Sequence, residues 1–227
     1  MKKYFMIMID RSSDFYTGFI SGVFQSSAGT RLPVGASDIS VYKLNSSSCD
    51  IYWNFDDIVP LHFDYTMHDG HIVSKRILDV INKYRLADSI QRKISVWMQG
   101  EKIEKDFYHI FFERITQRVR DDRYDHLVVF DKEKSEFERG KMNMVIPTGE
   151  IVLTENANNY DCFELQSSIK GIQGNLVVDE ELANELITLN AKGIKLVPLQ
   201  EAFKEYCKDW GVDASSLIIK KKRIMPC

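Results

Sequence analysis

The chain lacks close cysteine pairs. Cys49, Cys162, Cys207 and Cys227 are scattered through 227 residues, which suggests neither a zinc-knuckle spacing nor a disulfide framework and leaves four thiols that read as free in a reducing compartment. It also lacks a long apolar run. No stretch approaches the ~20 residues that a membrane span requires, and the short run at 4–9 is cut by Asp10 and Arg11 before a signal-peptide core forms. The protein is therefore expected in the cytoplasm, with no membrane contact. Excess positive charge is missing too: the net charge is −3 and the pI about 6.0, so nucleic acid is not an expected partner. No G-x-S-x-G elbow, no G-x-x-x-x-G-K-[ST] or G-x-G-x-x-G phosphate loop and no H-E-x-x-H pair occurs. Serine-nucleophile, nucleotide-binding and zincin readings therefore have no motif to rest on, and nothing in the sequence asks for a cofactor.

What is present is an ordinary globular composition, 44% hydrophobic and 28% charged, on a length that buries a core without staples. Residues 3–9 predict a strand apolar on both faces, hence central in a sheet. Residues 12–40, rich in Ser, Gly and Thr, read as a loop with a short element near 15–24. Runs at 41–44 and 49–53 flank the turn-rich tetrad 45–48, consistent with a hairpin. Ile72 and Val73 lead into Ser74, placed as N-cap of a helix over 75–84 carried by Ile77, Leu78, Ile81 and Tyr84, and a strand follows at 94–98. The longest helix is expected over 104–122, where Phe107, Ile110, Phe111, Ile115 and Val119 share one face. Beyond it the sequence predicts a strand at 126–130 and an exposed charged loop at 131–141. A hairpin of 142–146 with 150–154 follows, turning at Pro147-Thr148-Gly149, and then a loop at 156–161. A helix over 200–210 is expected to bury Ala202, Phe203, Tyr206 and Trp210. A last strand at 216–219 and the basic tail Lys220-Lys221-Lys222-Arg223 close the chain.

Strands outnumber helices and do not alternate strictly with them. The expected class is α+β, a mixed and mostly antiparallel sheet with helices packed against it. Ile72-Val73-Ser74, Ile77 and Ile81 match Val177-Val178-Asp179, Leu182 and Leu186 at one offset, which leaves open two related strand-helix-strand units against chance coincidence of common parts. A single domain over 1–227 is expected, with two lobes, 1–122 and 123–227, as the alternative.

The densest cluster of chemically active side chains is His62, Asp64, His68, Asp69 and His71. Imidazole and carboxylate donors suit a divalent metal and would support a metal-dependent hydrolase, but the spacing matches no known site, and a polar loop ahead of a helix carries the same residues for turns and caps. Acidic loops beside aromatics form the other candidates: Tyr52, Trp53, Asp56 and Asp57; Asp121, Asp122, Tyr124 and Asp125; Tyr160 and Asp161. Glu133, Glu136 and Glu138 add a further acidic run. Carboxylates and aromatics together dock a basic partner; carboxylates alone in a loop are simply solvated.

The stretch 163–199 holds a strand, an acidic cap, an amphipathic helix and a second strand in succession. Val177 and Val178 run into Asp179, which is placed to cap a helix whose Leu182, Ala183, Leu186 and Leu189 share a stripe. Gly193 is placed to end it in the left-handed conformation. In its order of parts this stretch resembles the C-terminal region of bacterial immunity proteins encoded beside polymorphic toxins: Glu164-Leu165-Gln166-Ser167-Ser168, Gly174, Val177-Val178-Asp179, Leu182, then Gly193-Ile194-Lys195-Leu196-Val197-Pro198-Leu199. Glu164 departs from the pattern, which has Asp there. The resemblance implies an antitoxin that is not an enzyme. Its partner would be the cognate toxin domain of a secreted effector, blocked at its active site through the acidic and aromatic residues named above.

Overall fold

Met6, Ile7 and Met8 are buried on both faces of strand β1 (Tyr4–Ile9), so the strand needs a neighbour on each edge and cover on each side. It has both. β1 lies between β11 (Leu176–Asp179) and β12 (Ile194–Pro198), antiparallel to each, and β10 (Cys162–Glu164) extends the sheet beyond β11. The computed structural model describes residues 2–12, 23–26, 51–67, 70–112, 128–140, 144–166, 169 and 171–218. The chain is α+β, as its pattern of elements predicts. A second sheet has the order β2-β3-β6-β7-β5-β4, from β2 (Val23–Ser26), β3 (Ile51–Phe55), β4 (Tyr65–Met67), β5 (His71–Ser74), β6 (Ser89–Met98) and β7 (Glu101–Phe112). β8 (Phe137–Arg139) and β9 (Val145–Pro147) make a separate two-stranded ribbon.

The two large sheets contain the same unit. In one, the antiparallel pair β4–β5 runs into α1 (Lys75–Ile81) and emerges in β6, with β7 paired antiparallel between β5 and β6. In the other, β10–β11 runs into α2 (Glu180–Thr188) and emerges in β12, with β1 paired antiparallel between β11 and β12. The inner strand thus follows its unit in one case and begins the chain in the other. Both helices start as the cap chemistry dictates: the side chain of Ser74 accepts from the Ile77 N–H and that of Asp179 from the Leu182 N–H. The two helices pack on each other.

The units also hold each other reciprocally. The Asp64 N–H donates to the Lys192 carbonyl at 3.0 Å, and the Lys192 N–H returns to the Asp64 carboxylate at 2.8 Å. The Asp161 N–H donates to the Arg85 carbonyl at 2.8 Å, and the Arg85 N–H returns to the Asp161 carboxylate at 3.0 Å. Each aspartate directly precedes the first strand of its own unit, and each bonds the chain just after the helix of the other. The carbonyls of Asp64 and Asp161 accept from the cap residues Ser74 and Asp179 at 2.8 and 2.9 Å. Strand order and hydrogen bonds together make the correspondence between units a property of the fold.

Several expectations fail. The helix over 104–122 is, in its described part, the strand β7; residues 113–122 lie outside the described residues. From Phe107 onward β7 is buried on both faces, with Phe107 and Phe111 in one hydrophobic cluster and Ile110 and Phe112 in the other. Its apolar residues therefore do not alternate, and the run imitates a helical face. In their described parts the runs at 142–146 and 150–154 do not pair together: Val145–Pro147 pairs with Phe137–Arg139, inside the expected loop at 131–141, and Leu153 bridges Phe130; residues 142–143 lie outside the described residues. Where a strand was expected at 126–130, the described part holds only that bridge. Over 216–218 the expected strand is replaced by the short helix α4 (Ala214–Leu217) and a single bridge at Ile218, and residue 219 lies outside the described residues. Residues 41–50 lie outside the described residues, and the remainder of that expected hairpin is β3, paired with β2 and β6. α2 ends on Asn190, φ 53°, with Gly193, φ 78°, further along the turn. In α3 (Ala202–Trp210), Ala202 and Phe203 are buried, but Trp210 is 48% exposed beneath the Arg11 guanidinium.

Candidate functional site

The His/Asp cluster is dispersed by the fold. His62 is exposed, while Asp64 and His71 are buried and face different partners. The Asp64 carboxylate accepts from the Ser74 hydroxyl at 2.7 Å and from the Lys192 N–H. His71 stands between the Tyr65 hydroxyl, 3.0 Å from its Nδ1, and the Glu164 carboxylate, 3.0 Å from its Nε2. His68 and Asp69 lie outside the described residues. Among the described residues no three His, Cys, Asp or Glu side chains converge as a metal would require, so the metal-centre reading of His62, Asp64 and His71 is withdrawn. The reason is periodicity: His62 belongs to an exposed loop and His71 to a strand position facing the core.

Tyr65, His71 and Glu164 form a relay familiar from acid–base sites, but each is at most 4% exposed. Burial pushes the Tyr65 phenol well above its ordinary range, with the Glu164 charge adding to it. With one ring nitrogen beside a hydroxyl and the other beside a carboxylate, the arrangement satisfies its own polar groups between β4, β5 and β10. Cys162 is likewise enclosed, and burial drives its thiol far up, away from reactivity.

Of the interaction candidates, Asp161 is consumed internally. The Arg85 side chain donates to it at 2.7 and 3.0 Å, and Lys2 bridges it to Asp179. The Arg85 hydrogen bond outweighs desolvation, and Lys2 adds to it, holding the Asp161 carboxyl far below the usual range. Tyr160 is half-buried, and burial raises its phenol. Asp121, Asp122, Tyr124 and Asp125 lie outside the described residues. Trp53 is fully buried among Phe55, Phe63 and Phe107, whereas Tyr52 emerges on the opposite face of β3 and packs on Trp97. Strict alternation along Ile51–Phe55 decides this, and it splits the aromatic pair.

Asp56 and Asp57 are exposed where β3 ends, beside Ile58, which at 76% is the most exposed large hydrophobic among the described residues. The Gln99 N–H donates to the Phe55 carbonyl at 2.9 Å and brings the β6–β7 turn, with exposed Glu101, to the same end of the sheet. Asp56, Asp57 and Glu101 have no cationic partner among the described residues, unlike Asp79, Asp106, Glu180 and Glu185, which are ion-paired. Sequence reasoning missed Ile58; the signal was present, since alternation ends at Phe55 and Pro60 prevents an apolar residue at 58 from continuing the strand.

A cleft of about 410 Å³ opens between the loop at 61–64, α1 and β7, with Lys75, Lys105, Lys192, Asp64 and Asp106 among its lining. Its charges are already occupied: Lys75 by Asp79, Lys105 by the Leu61 carbonyl, Asp106 by Lys93 and Asp64 by the turn after α2. No helix among the described residues is long and apolar enough to cross a membrane. The family model described as Immunity protein 43 matches residues 49–214, well over half of the chain and including both repeated helices. No curated protein matches it.

Proposed function

The chain belongs to the Immunity protein 43 family, a family of immunity proteins and not of enzymes, and from that membership we propose that it binds a cognate toxin domain of a secreted effector and neutralises it. The family match over 49–214 carries this reading. The mechanism is occlusion of the toxin's active cleft by a preformed surface in the cytoplasm of the producing cell. A stable interface needs on the order of 1,000 Å² or more in total, with an apolar anchor and complementary charge around it. The end of the second sheet supplies such parts: Ile58 as anchor, Asp56 and Asp57 as unpaired charges that steer a basic partner, and Tyr52 on the adjoining face. Asp121, Asp122, Tyr124, Asp125 and Tyr160 remain candidates for the same contact, while Trp53 and Asp161 support it from within.

Co-expression tests the function directly. The chain should rescue cells from the toxin domain encoded beside it and co-purify with that domain. Absence of both rescue and complex would overturn the reading. Asp56→Lys with Asp57→Lys should slow association at least about tenfold at low salt and leave the fold intact; unchanged association would move the interface elsewhere.

A further inference from the structure

β3 and β6 commit one face to a hydrophobic cluster. Ile51, Trp53 and Phe55 of β3 and Ile94, Val96 and Met98 of β6 all belong to it, so by strand alternation Tyr52, Asn54, Ser95 and Trp97 lie together on the reverse side. Further along that side α1 packs against β5 and β7, and Val73, Ile110 and Phe112 join the cluster beneath it. Over β3 and β6 the same side carries two large aromatic rings, each half-buried. The strands are parallel with Asn54 beside Trp97, and the Trp97 ring leans back to Tyr52, with 5.9 Å between centroids and 57° between planes. The Trp97 Nε1–H is enclosed and meets no acceptor among the described residues. Few donors in a self-sufficient protein are left in that state.

Charge identifies what fits over these rings. Asp56 and Asp57 follow directly on β3, and Glu101 stands in the turn that Gln99 ties to Phe55. All three are exposed and have no cationic partner among the described residues. Lys102, opposite Trp97 on β7, is drawn instead toward Glu104 at 3.9 Å. Two π faces with free carboxylates at their end suit a flat cation. A guanidinium stacks on an aromatic ring by its plane and keeps its N–H groups at the rim for carboxylates, whereas a lysine ammonium is a strongly hydrated point charge. The chain makes such a contact within itself, where the Arg11 guanidinium lies 3.8 Å from the centre of the Trp210 ring. We propose that Tyr52 and Trp97 seat an arginine side chain of the toxin domain, drawn in by Asp56, Asp57 and Glu101. The identity of the occupant rests on the toxin-binding function; the seat for a guanidinium does not.

Two experiments on the full chain separate the two. In the first, the indole N–H resonances are followed by NMR as a hexa-arginine peptide is added. The Trp97 signal should shift saturably while that of buried Trp53 stays in place, and half-saturation should rise at least about tenfold in Asp56→Asn with Asp57→Asn. A Trp97 signal that hexa-arginine leaves unmoved, or that hexa-lysine moves at the same concentrations, would overturn the seat. In the second, dissociation of the complex with the neighbouring toxin domain should be at least about tenfold faster for Trp97→Leu, with the Trp53 resonance unchanged as the sign of an intact fold. Unchanged dissociation would overturn the seat as part of the interface. If the native chain forms no complex at all, the toxin-binding function falls, and with it the proposed occupant, while the peptide titration still decides whether the rings take a guanidinium.

Discussion

Three buried side chains join the two repeated units at the scale of single residues. The Glu164 carboxylate accepts from the His71 imidazole, which in its neutral form is left to accept the Tyr65 hydroxyl proton at its other nitrogen. Glu164 is also the position where the resemblance leads one to expect Asp, and a side chain one methylene shorter would not span the 3.0 Å contact from the same backbone. Glu164→Ala should destabilise the fold by about 3 kcal/mol, because it leaves a buried imidazole without its acceptor; urea denaturation measures this, and a loss below about 1 kcal/mol would mean that the site relaxes. Asp161 gives a pH prediction. Its folded pKa is depressed, mainly by the Arg85 hydrogen bond, so its contribution is complete above the ordinary carboxylate value of about 3.9 and is lost as pH falls below it. The stability gap between the native chain and Asp161→Asn should be flat above about pH 5 and narrow below pH 4. The same gap at pH 3 and pH 7 would contradict the assignment. None of this was legible in the sequence, where Asp161 reads as a surface acid, because Arg85 and Lys2 reach it from 76 and 159 residues away.

Elements that rest on local chemistry were legible. Ser74 and Asp179 cap their helices as their positions foretell, and Leu182, Ala183 and Leu186 are the buried stripe of α2. Ser74→Ala and Asp179→Ala should each cost more than the about 1 kcal/mol of a bare cap, since the Ser74 hydroxyl also donates to Asp64 and Asp179 also receives Lys2. Thermal melts of the two variants measure this, and a loss at either site well below about 1 kcal/mol would refute it. Elements buried on two faces were not legible. β7 passes between both hydrophobic clusters, so Phe107, Ile110, Phe111 and Phe112 are all inward, and period alone does not separate such a strand from a helix. The ribbon was missed for a different reason: β8 carries Phe-Glu-Arg, all exposed, so it has no apolar face for alternation to reveal. The β4–β5 turn depends on a single glycine. Gly70 has φ 132°, and a Cβ there would lie 2.6 Å from the His109 ring, so Gly70→Ala should lower the melting temperature more than Gly100→Ala, which meets no neighbour at all.

For the whole molecule, the decisive fact is that one repeat is completed by a strand that precedes both units in sequence. Removing residues 1–10 takes the inner strand from the four-stranded sheet and exposes Val177, Val178 and Val197 along the gap. The shortened chain should lose its cooperative transition, whereas a transition with unchanged midpoint would show that the sheet stands without β1. Reciprocal bonding through Asp64 and Asp161 further predicts that the native protein unfolds as one unit; two separated transitions in calorimetry would speak instead for independent lobes. The circular offset between the repeats also has a temporal side. β1 is made well before any of the strands it pairs with. At ribosomal speeds of roughly 5–20 residues per second, Met6 and Ile7 wait on the order of ten to forty seconds before Leu196 and Val197 leave the exit tunnel. Newly synthesised copies therefore carry an unpaired apolar strand through that interval, and a holdase that grips residues 4–9 would raise the yield of folded protein.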